Sequence, residues 1–124
     1  MPERKPVGEN ELLYRRGYSN PVQRYMNPDG SATSRVFKLR ENDKEELSVD
    51  VKSLTTAAAS VCNSHKFFLF EIRNKAVIEI EGLRTHHDRL LDGSNDAHAV
   101  IIGMTLSDDI KPGLLARKSK RVYF

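Results

Sequence analysis

The spacing of its turn signals constrains this chain more than any other feature. Asn27-Pro28-Asp29-Gly30 is the clearest of them: Pro presets φ, Asn and Asp can bond their own backbone, and Gly accepts positive φ. A polar loop follows at 41–46, and Asn74 and Lys75 punctuate the chain again. The connections at 27–30, 41–46 and 73–75 are too short for the crossovers that a parallel sheet requires. The strands they separate should therefore pair antiparallel.

Several stretches between these breaks alternate as strands do. Glu11 to Tyr18 alternates loosely, and Ser19-Asn20-Pro21 ends it. From Ser31 to Arg40 neither face is wholly apolar, which predicts a strand near a sheet edge. Leu47, Val49 and Val51 share one face of a compact strand. Phe67 to Ile72 is aromatic and β-branched, and Ala76 to Gly82 alternates cleanly, so the two predict a hairpin. The apolar run Ala97 to Ile102, broken only by His98 and closed by Gly103, predicts a buried strand. A last short strand is expected at 121–124. Helical spacing of Leu54, Ala57, Ala58, Val61 and Cys62 predicts a helix over 54–63 with Ser53 or Thr55 as its cap. A second helix should start near Ile110 or Lys111, with Ser107-Asp108-Asp109 at its positive end and Pro112 in its first turn, and run to about Lys118. Residues 1–10 predict a frayed lead-in, and 83–96 a polar loop.

With 124 residues, 39% apolar and 30% charged, the chain fits one globular domain able to bury a core. Trp is absent, so that core must rest on Leu, Ile, Val, Phe and Ala. The single cysteine, Cys62, excludes an internal disulfide and any multi-cysteine zinc site. No apolar run is long enough to span a bilayer, and the residues after Met1 carry no apolar signal region. A cytoplasmic protein is expected. Its net charge is +3 but unevenly placed. Residues 1–40 hold eight basic and four acidic side chains, 41–50 hold one and five, and the C-terminal end from 117 to 124 is basic without an acid. Such segregation can steer an anionic partner, or it can belong to solvated loops and tails.

Two constellations could carry chemistry. Arg15, Arg16, Arg24 and Arg35 are interleaved with Tyr14, Tyr18 and Tyr25, and arginine beside aromatics suits phosphate contact with base stacking. Alternation along an extended chain allows about half of them to converge, and arginine stems lying on surface tyrosines are the plainer alternative. The other constellation is His86, His87 and His98 with Asp88, Asp92 and Asp96. The spacing matches no metal signature, and adjacent His86 and His87 would point to opposite faces of a strand, so no metal and no cofactor is assigned. At the mouth of an apolar strand, His98 suits acid–base catalysis; the alternative is a half-buried histidine tied to a backbone carbonyl or to Asp96. An Arg, His98 and a hydroxyl such as Ser48 or Thr33 could act on a phosphodiester without metal. Glycine-rich phosphate loops and the nucleophile elbow are absent, and Cys62 reads as a small core residue.

The order Arg16, then Ser34-Arg35-Val36-Phe37-Lys38-Leu39, Leu47-Ser48-Val49-Asp50 and His98-Ala99-Val100-Ile101-Ile102-Gly103 resembles a group of small uncharacterised bacterial proteins. These carry an early Arg, a Phe, a Leu-Ser-Val strand and a late His-Ala-x-Ile-x-Gly segment. The resemblance covers about residues 13–106 and implies a bacterial or phage-borne cytosolic protein, with Arg16, Ser48 and His98 as the positions of interest. A weaker resemblance is to ADP-ribosyltransferase-like folds, through an early Arg, a Ser-bearing strand and a late polar residue; the Glu and the spacing of that pattern are missing.

The sequence thus predicts an α+β domain over 1–124, with about six short, mainly antiparallel strands and two short helices. The expected function is a small interaction module that binds a partner protein or nucleic acid through basic surfaces at Arg15, Arg24, Arg35, Arg117, Lys118, Lys120 and Arg121. The alternative is a small enzyme acting on RNA or a nucleotide through Arg16, Ser48 and His98. A membrane is not among the expected partners.

Overall fold

A computed structural model of the chain describes residues 5–41, 45–61, 63–88 and 96–123. Six strands, β1 (Leu12–Tyr18), β2 (Leu47–Val51), β3 (Phe67–Arg73), β4 (Arg84–His87), β5 (His98–Ile102) and β6 (Lys120–Val122), form one sheet in the order β4-β5-β2-β1-β3-β6. All neighbours are antiparallel. Four short helices accompany them: α1 (Val22–Tyr25), α2 (Ala57–Val61), α3 (Asn74–Ile78) and α4 (Ile110–Lys118). The α+β class therefore holds, with four helices among the described residues where two were expected. Among the described residues no helix is long and apolar enough to cross a membrane.

The two-residue period of the strands sorts their side chains. Leu13, Leu47, Val49, Val51, Phe70, Ile72, Ala99 and Ile101 fall on one face and are buried. Each of these side chains larger than that of Ala99 contributes about 1.5–3 kcal/mol on leaving water. Leu115 and Ala116 of α4, Val77 of α3, and Val36 and Phe37 join the same cluster and close this face. Among the described residues the opposite face carries a small cluster of Tyr14, Val61 and Leu69 beside α2, and polar residues such as Ser48 and Asp50 share that face. Helix α4 starts where the acids predicted it: Asp108 Oδ1 accepts the amide N–H groups of Ile110 (3.0 Å) and Lys111 (3.1 Å), and Pro112 sits in the first turn.

Two segments depart from their alternation. Residues 31–40 form no strand of the sheet; Ser34–Phe37 is a 3₁₀ turn. Ala32, Val36, Phe37 and Leu39 are buried, and two adjacent buried residues cannot both face the core from an extended chain. Residues 76–82 form no hairpin with β3. They belong largely to α3 and the turn after it, with Val77 and Ile80 buried three residues apart and Ile78 exposed. Buried Asn74 holds the start of α3 by donating from Nδ2 to the carbonyls of Val7 (2.9 Å) and Gly8 (3.2 Å). The helix expected over 54–63 is shorter, a 3₁₀ turn at Lys52–Leu54 followed by α2, and Cys62 lies outside the described residues.

The loop expected at 83–96 contains β4, whose residues beyond Asp88, including Arg89 and Asp92, lie outside the described part as far as 95. From Lys5 onward the lead-in is ordered against β4: Val7 donates to Thr85 O (2.9 Å), and His87 donates to Lys5 O (2.8 Å). The core absorbs Val7, which the polar residues around it concealed. Gly103 has φ +111°, and a Cβ there would lie 2.0 Å from Gly82 O, so only glycine lets these two turns touch.

The sheet is unevenly stitched at its centre. β1 pairs with β3 along all seven of its residues, but with β2 only at Leu13↔Val51 and Tyr14↔Asp50. Beyond Tyr14 the ladder between β1 and β2 stops. Arg15 bridges the opening, its Nε donating to Val36 O (2.8 Å) and its Nη1 to Ser48 O (2.8 Å). The guanidinium takes over carbonyls that a continuing ladder or water would otherwise serve.

Candidate functional site

Where β1 leaves β2, a cavity of about 220 Å³ opens. Its cationic lining is Arg15, Arg16, Arg35, Lys38 and Arg40, with no acidic residue among its walls in the described residues. Tyr18, Tyr25 and Phe67 supply aromatic surface. Tyr18 and Phe67 are cross-strand partners in β1 and β3, their ring centroids 5.1 Å apart, and Tyr25 packs 5.4 Å from Tyr18 on the other side. Gly17 makes room for this: a Cβ there would press within 3.1 Å of Val36 and 3.2 Å of Phe70.

The cations of this cavity differ in what already holds them. Arg15 is the clamp described above. Lys38 Nζ pairs with Asp109 Oδ1 at 2.7 Å and also donates to Asp108 O at 3.1 Å. That ammonium holds the Asp109 carboxyl below the usual aspartate range. Arg16 lies over the Phe67 ring, 4.9 Å from its centroid, and Arg40 Nη1 donates to the Tyr18 hydroxyl at 3.1 Å. The Arg35 guanidinium meets no acceptor among the described residues. Arginines held against rings, in a cavity whose described walls carry no carboxylate, suit an anion with a flat attached group.

A second arrangement lies across β2 and β5. Ser48 and His98 are diagonal neighbours on the polar face, since Ser48 pairs with Val100 and His98 with Asp50. His98 Nε2 is 3.2 Å from Ser48 Oγ. On the other edge of the ring, His98 Nδ1 is 2.8 Å from the carbonyl oxygen of Asp88 and 3.3 Å from its carboxylate. Both groups facing Nδ1 are acceptors, so Nδ1 carries a proton. In the neutral ring Nε2 is then the acceptor, and Ser48 Oγ–H donates to it. This is the order of a hydroxyl, a base and an orienting group. The half-buried ring is thus tied to a backbone carbonyl, as the plainer alternative expected, and the carboxylate beside it is that of Asp88.

The structure brings together some of the residues singled out in sequence and separates others. Arg15, Arg16 and Arg35 meet at the cavity with Tyr18 and Tyr25, whereas Tyr14 is buried in the small cluster beside α2. Arg24 is exposed on α1 and does not line the cavity. Arg16 shares the polar face with Ser48 and His98, but its guanidinium is directed over Phe67. Arg117 and Lys118 are exposed in the last turn of α4, where cations complement the helix dipole. Lys120 pairs with Glu71 at 3.3 Å, a buried carboxylate that Lys52 also reaches at 3.3 Å. Arg121 turns inward between Phe68 and Tyr123. His86 pairs opposite Val100 and His87 opposite Ala99, on opposite faces of β4, and among the described residues no group of three His, Cys, Asp or Glu converges to hold a metal. Lys38, Arg40 and Phe67 are cavity residues that sequence reasoning missed; the alternation Lys38-Leu39-Arg40 around buried Leu39 was the signal for the first two, and Phe67 carried none. Comparison with protein-family models, with curated proteins and with solved structures finds no match.

Proposed function

We propose that this protein binds a nucleotide-bearing ligand in the cavity at the mouth of the β1–β2 opening. The observation that carries this reading is the composition of the cavity: five cationic side chains and three aromatic rings around about 220 Å³, with no carboxylate in its walls among the described residues. Phosphate would meet the guanidinium edges of Arg16, Arg35 and Arg40, and a base would stack on Tyr18, Tyr25 or Phe67. Arg15 has a positioning role, since it holds the opening apart.

The test is titration of isotopically labelled protein with adenosine monophosphate, followed by NMR at several salt concentrations. Backbone shifts should centre on Arg16, Tyr18, Tyr25 and Phe67, and affinity should fall as salt rises. Tyr25→Ala and Arg16→Ala should each weaken binding about fivefold or more. Absence of saturable shifts at millimolar nucleotide would refute the reading.

A second reading, catalysis on RNA or a nucleotide, is favoured by one contact, that of Ser48 Oγ with His98 Nε2. His98 would take the proton of the Ser48 hydroxyl as that oxygen attacks phosphorus, and would pass it to the alcohol oxygen that leaves as its P–O bond breaks; water would then hydrolyse the phosphoseryl ester, with Asp88 fixing the tautomer throughout. Arg15 links the two regions, because it lines the cavity and holds the backbone carbonyl of Ser48.

A further inference from the structure

A second cavity, of about 150 Å³, lies on the other side of Phe67. Ser64, Phe68, Arg121 and Tyr123 contribute to its walls, and Phe67 lines both cavities. The Arg121 guanidinium carbon lies over two rings, 4.6 Å from the centroid of Phe68 and 4.6 Å from that of Tyr123. Arg121 Nε is buried and meets no acceptor among the described residues. Its Nη1 reaches only the Met26 sulfur, at 3.9 Å, which is a weak acceptor. No carboxylate among the described residues pairs with this cation. A partly desolvated guanidinium without a counter-charge is costly unless an anion is supplied from outside. With rings against its faces, its N–H edges remain for an in-plane acceptor. Tyr123 is 76% exposed, and a large ring held over a cation in solvent offers a stacking platform.

We propose that this cavity is a second nucleotide subsite, so that the ligand contains at least two linked nucleotide units crossing the Phe67 ridge. The proposal rests on the nucleotide reading of the first cavity. Size supports it: neither 220 Å³ nor 150 Å³ reaches the roughly 300–1,000 Å³ of pockets that enclose a whole drug-sized ligand. Each has its own cation and its own aromatic surface, and one side chain forms a wall of both. Such a ligand could be a free dinucleotide or a stretch of a nucleic-acid strand; both present the same linked units.

The experiment compares affinities of the full chain for adenosine monophosphate, a 5′-phosphorylated adenylyl dinucleotide and longer oligoadenylates, at fixed salt. The dinucleotide should bind about fivefold or more tightly than the mononucleotide, in keeping with one added stacked base. Tyr123→Ala should abolish that gain without changing mononucleotide affinity, and Tyr123→Phe should keep it. Exposure of Tyr123 makes folding of these variants secure. If affinity levels off at two units, the ligand is a dinucleotide; if it rises further with length, it is a strand. Equal affinity for one and two units, or a gain that survives in Tyr123→Ala, would overturn the second subsite while leaving the first cavity's reading intact. Failure of the mononucleotide to bind at all would instead remove the nucleotide reading, and this inference with it.

Discussion

The mouth of the β1–β2 opening and the Ser48–His98–Asp88 line are neighbours, yet they are built by different means. The mouth exists because pairing fails: two strands part after Tyr14, and side chains from β1, α1, β3 and the segment 35–40 converge on the gap. The Ser48–His98 line exists because pairing succeeds, as the β2–β5 register sets the two residues diagonally on one face. A gap collects charge and aromatic surface, which suits binding. A ladder fixes distances to tenths of an ångström, which suits proton transfer. If both are used, binding and chemistry should be separable by mutation.

The largest expected effect is on chemistry. Under the catalytic reading, His98→Ala should lower turnover of any RNA or nucleotide substrate on the order of 10²-fold or more, while affinity for the ligand is kept. Product analysis after incubation with a panel of nucleotides and oligonucleotides reads this out. A panel that wild-type protein leaves unconverted, or turnover unchanged in both His98→Ala and Ser48→Ala, would reduce the line to a structural contact.

Next in size is a contrast between adjacent arginines. Arg15→Met should destabilise the fold by about 2 kcal/mol, because the carbonyls of Val36 and Ser48 lose a charged donor. Arg16→Met should change urea stability by under about 0.5 kcal/mol, as an exposed residue outside the core. The same change should lower the salt slope of single-strand binding by about 0.7 if Arg16 contacts one phosphate. Equal stability of the two variants would mean that Arg15 is no clamp, and the distinction between mouth and ladder would lose its basis.

How far the sequence disclosed these regions depends on which interactions set each of them. β1, β2, β3 and β5 were legible because Leu13, Leu47, Val49, Val51, Phe70 and Ile101 follow the strand period and are buried by it. Residues 76–82 alternate equally well, yet Val77 and Ile80 meet the core as a helix does, a choice that tertiary packing makes. The pairing of Ser48 with His98 depends on register between strands far apart in sequence, which no local pattern encodes. Interleaved Arg and Tyr at 15–25 pointed towards the cavity. That Arg15 faces inward while Arg16 lies over Phe67 follows from their alternation on β1, and that Tyr14 leaves the group follows from the small cluster beside α2. Phe67, Lys38 and Arg40 come from elements that only the fold brings near.

The smallest effect concerns Lys38, a cation of the mouth that pairs with a carboxylate of the same chain. Asp109 Oδ1 lies 2.7 Å from its ammonium, and that contact lowers the carboxyl's pKa. A depressed carboxyl contributes to stability above its unfolded pKa and loses that contribution as pH falls through its folded value. The contribution should therefore be constant at neutral pH and disappear only at strongly acidic pH. With the Asp109 side chain 83% exposed, solvent screening keeps it small. Its bearing on the mouth is easier to measure. Asp109→Asn removes a negative charge beside the cavity and leaves the Lys38 charge unopposed by it, so affinity for a phosphate-bearing ligand should rise about twofold at low salt and return to the wild-type value at high salt. A loss of affinity in this variant would show that Asp109 serves by positioning Lys38 instead, making the lysine part of the binding surface and not a cation held in reserve behind it.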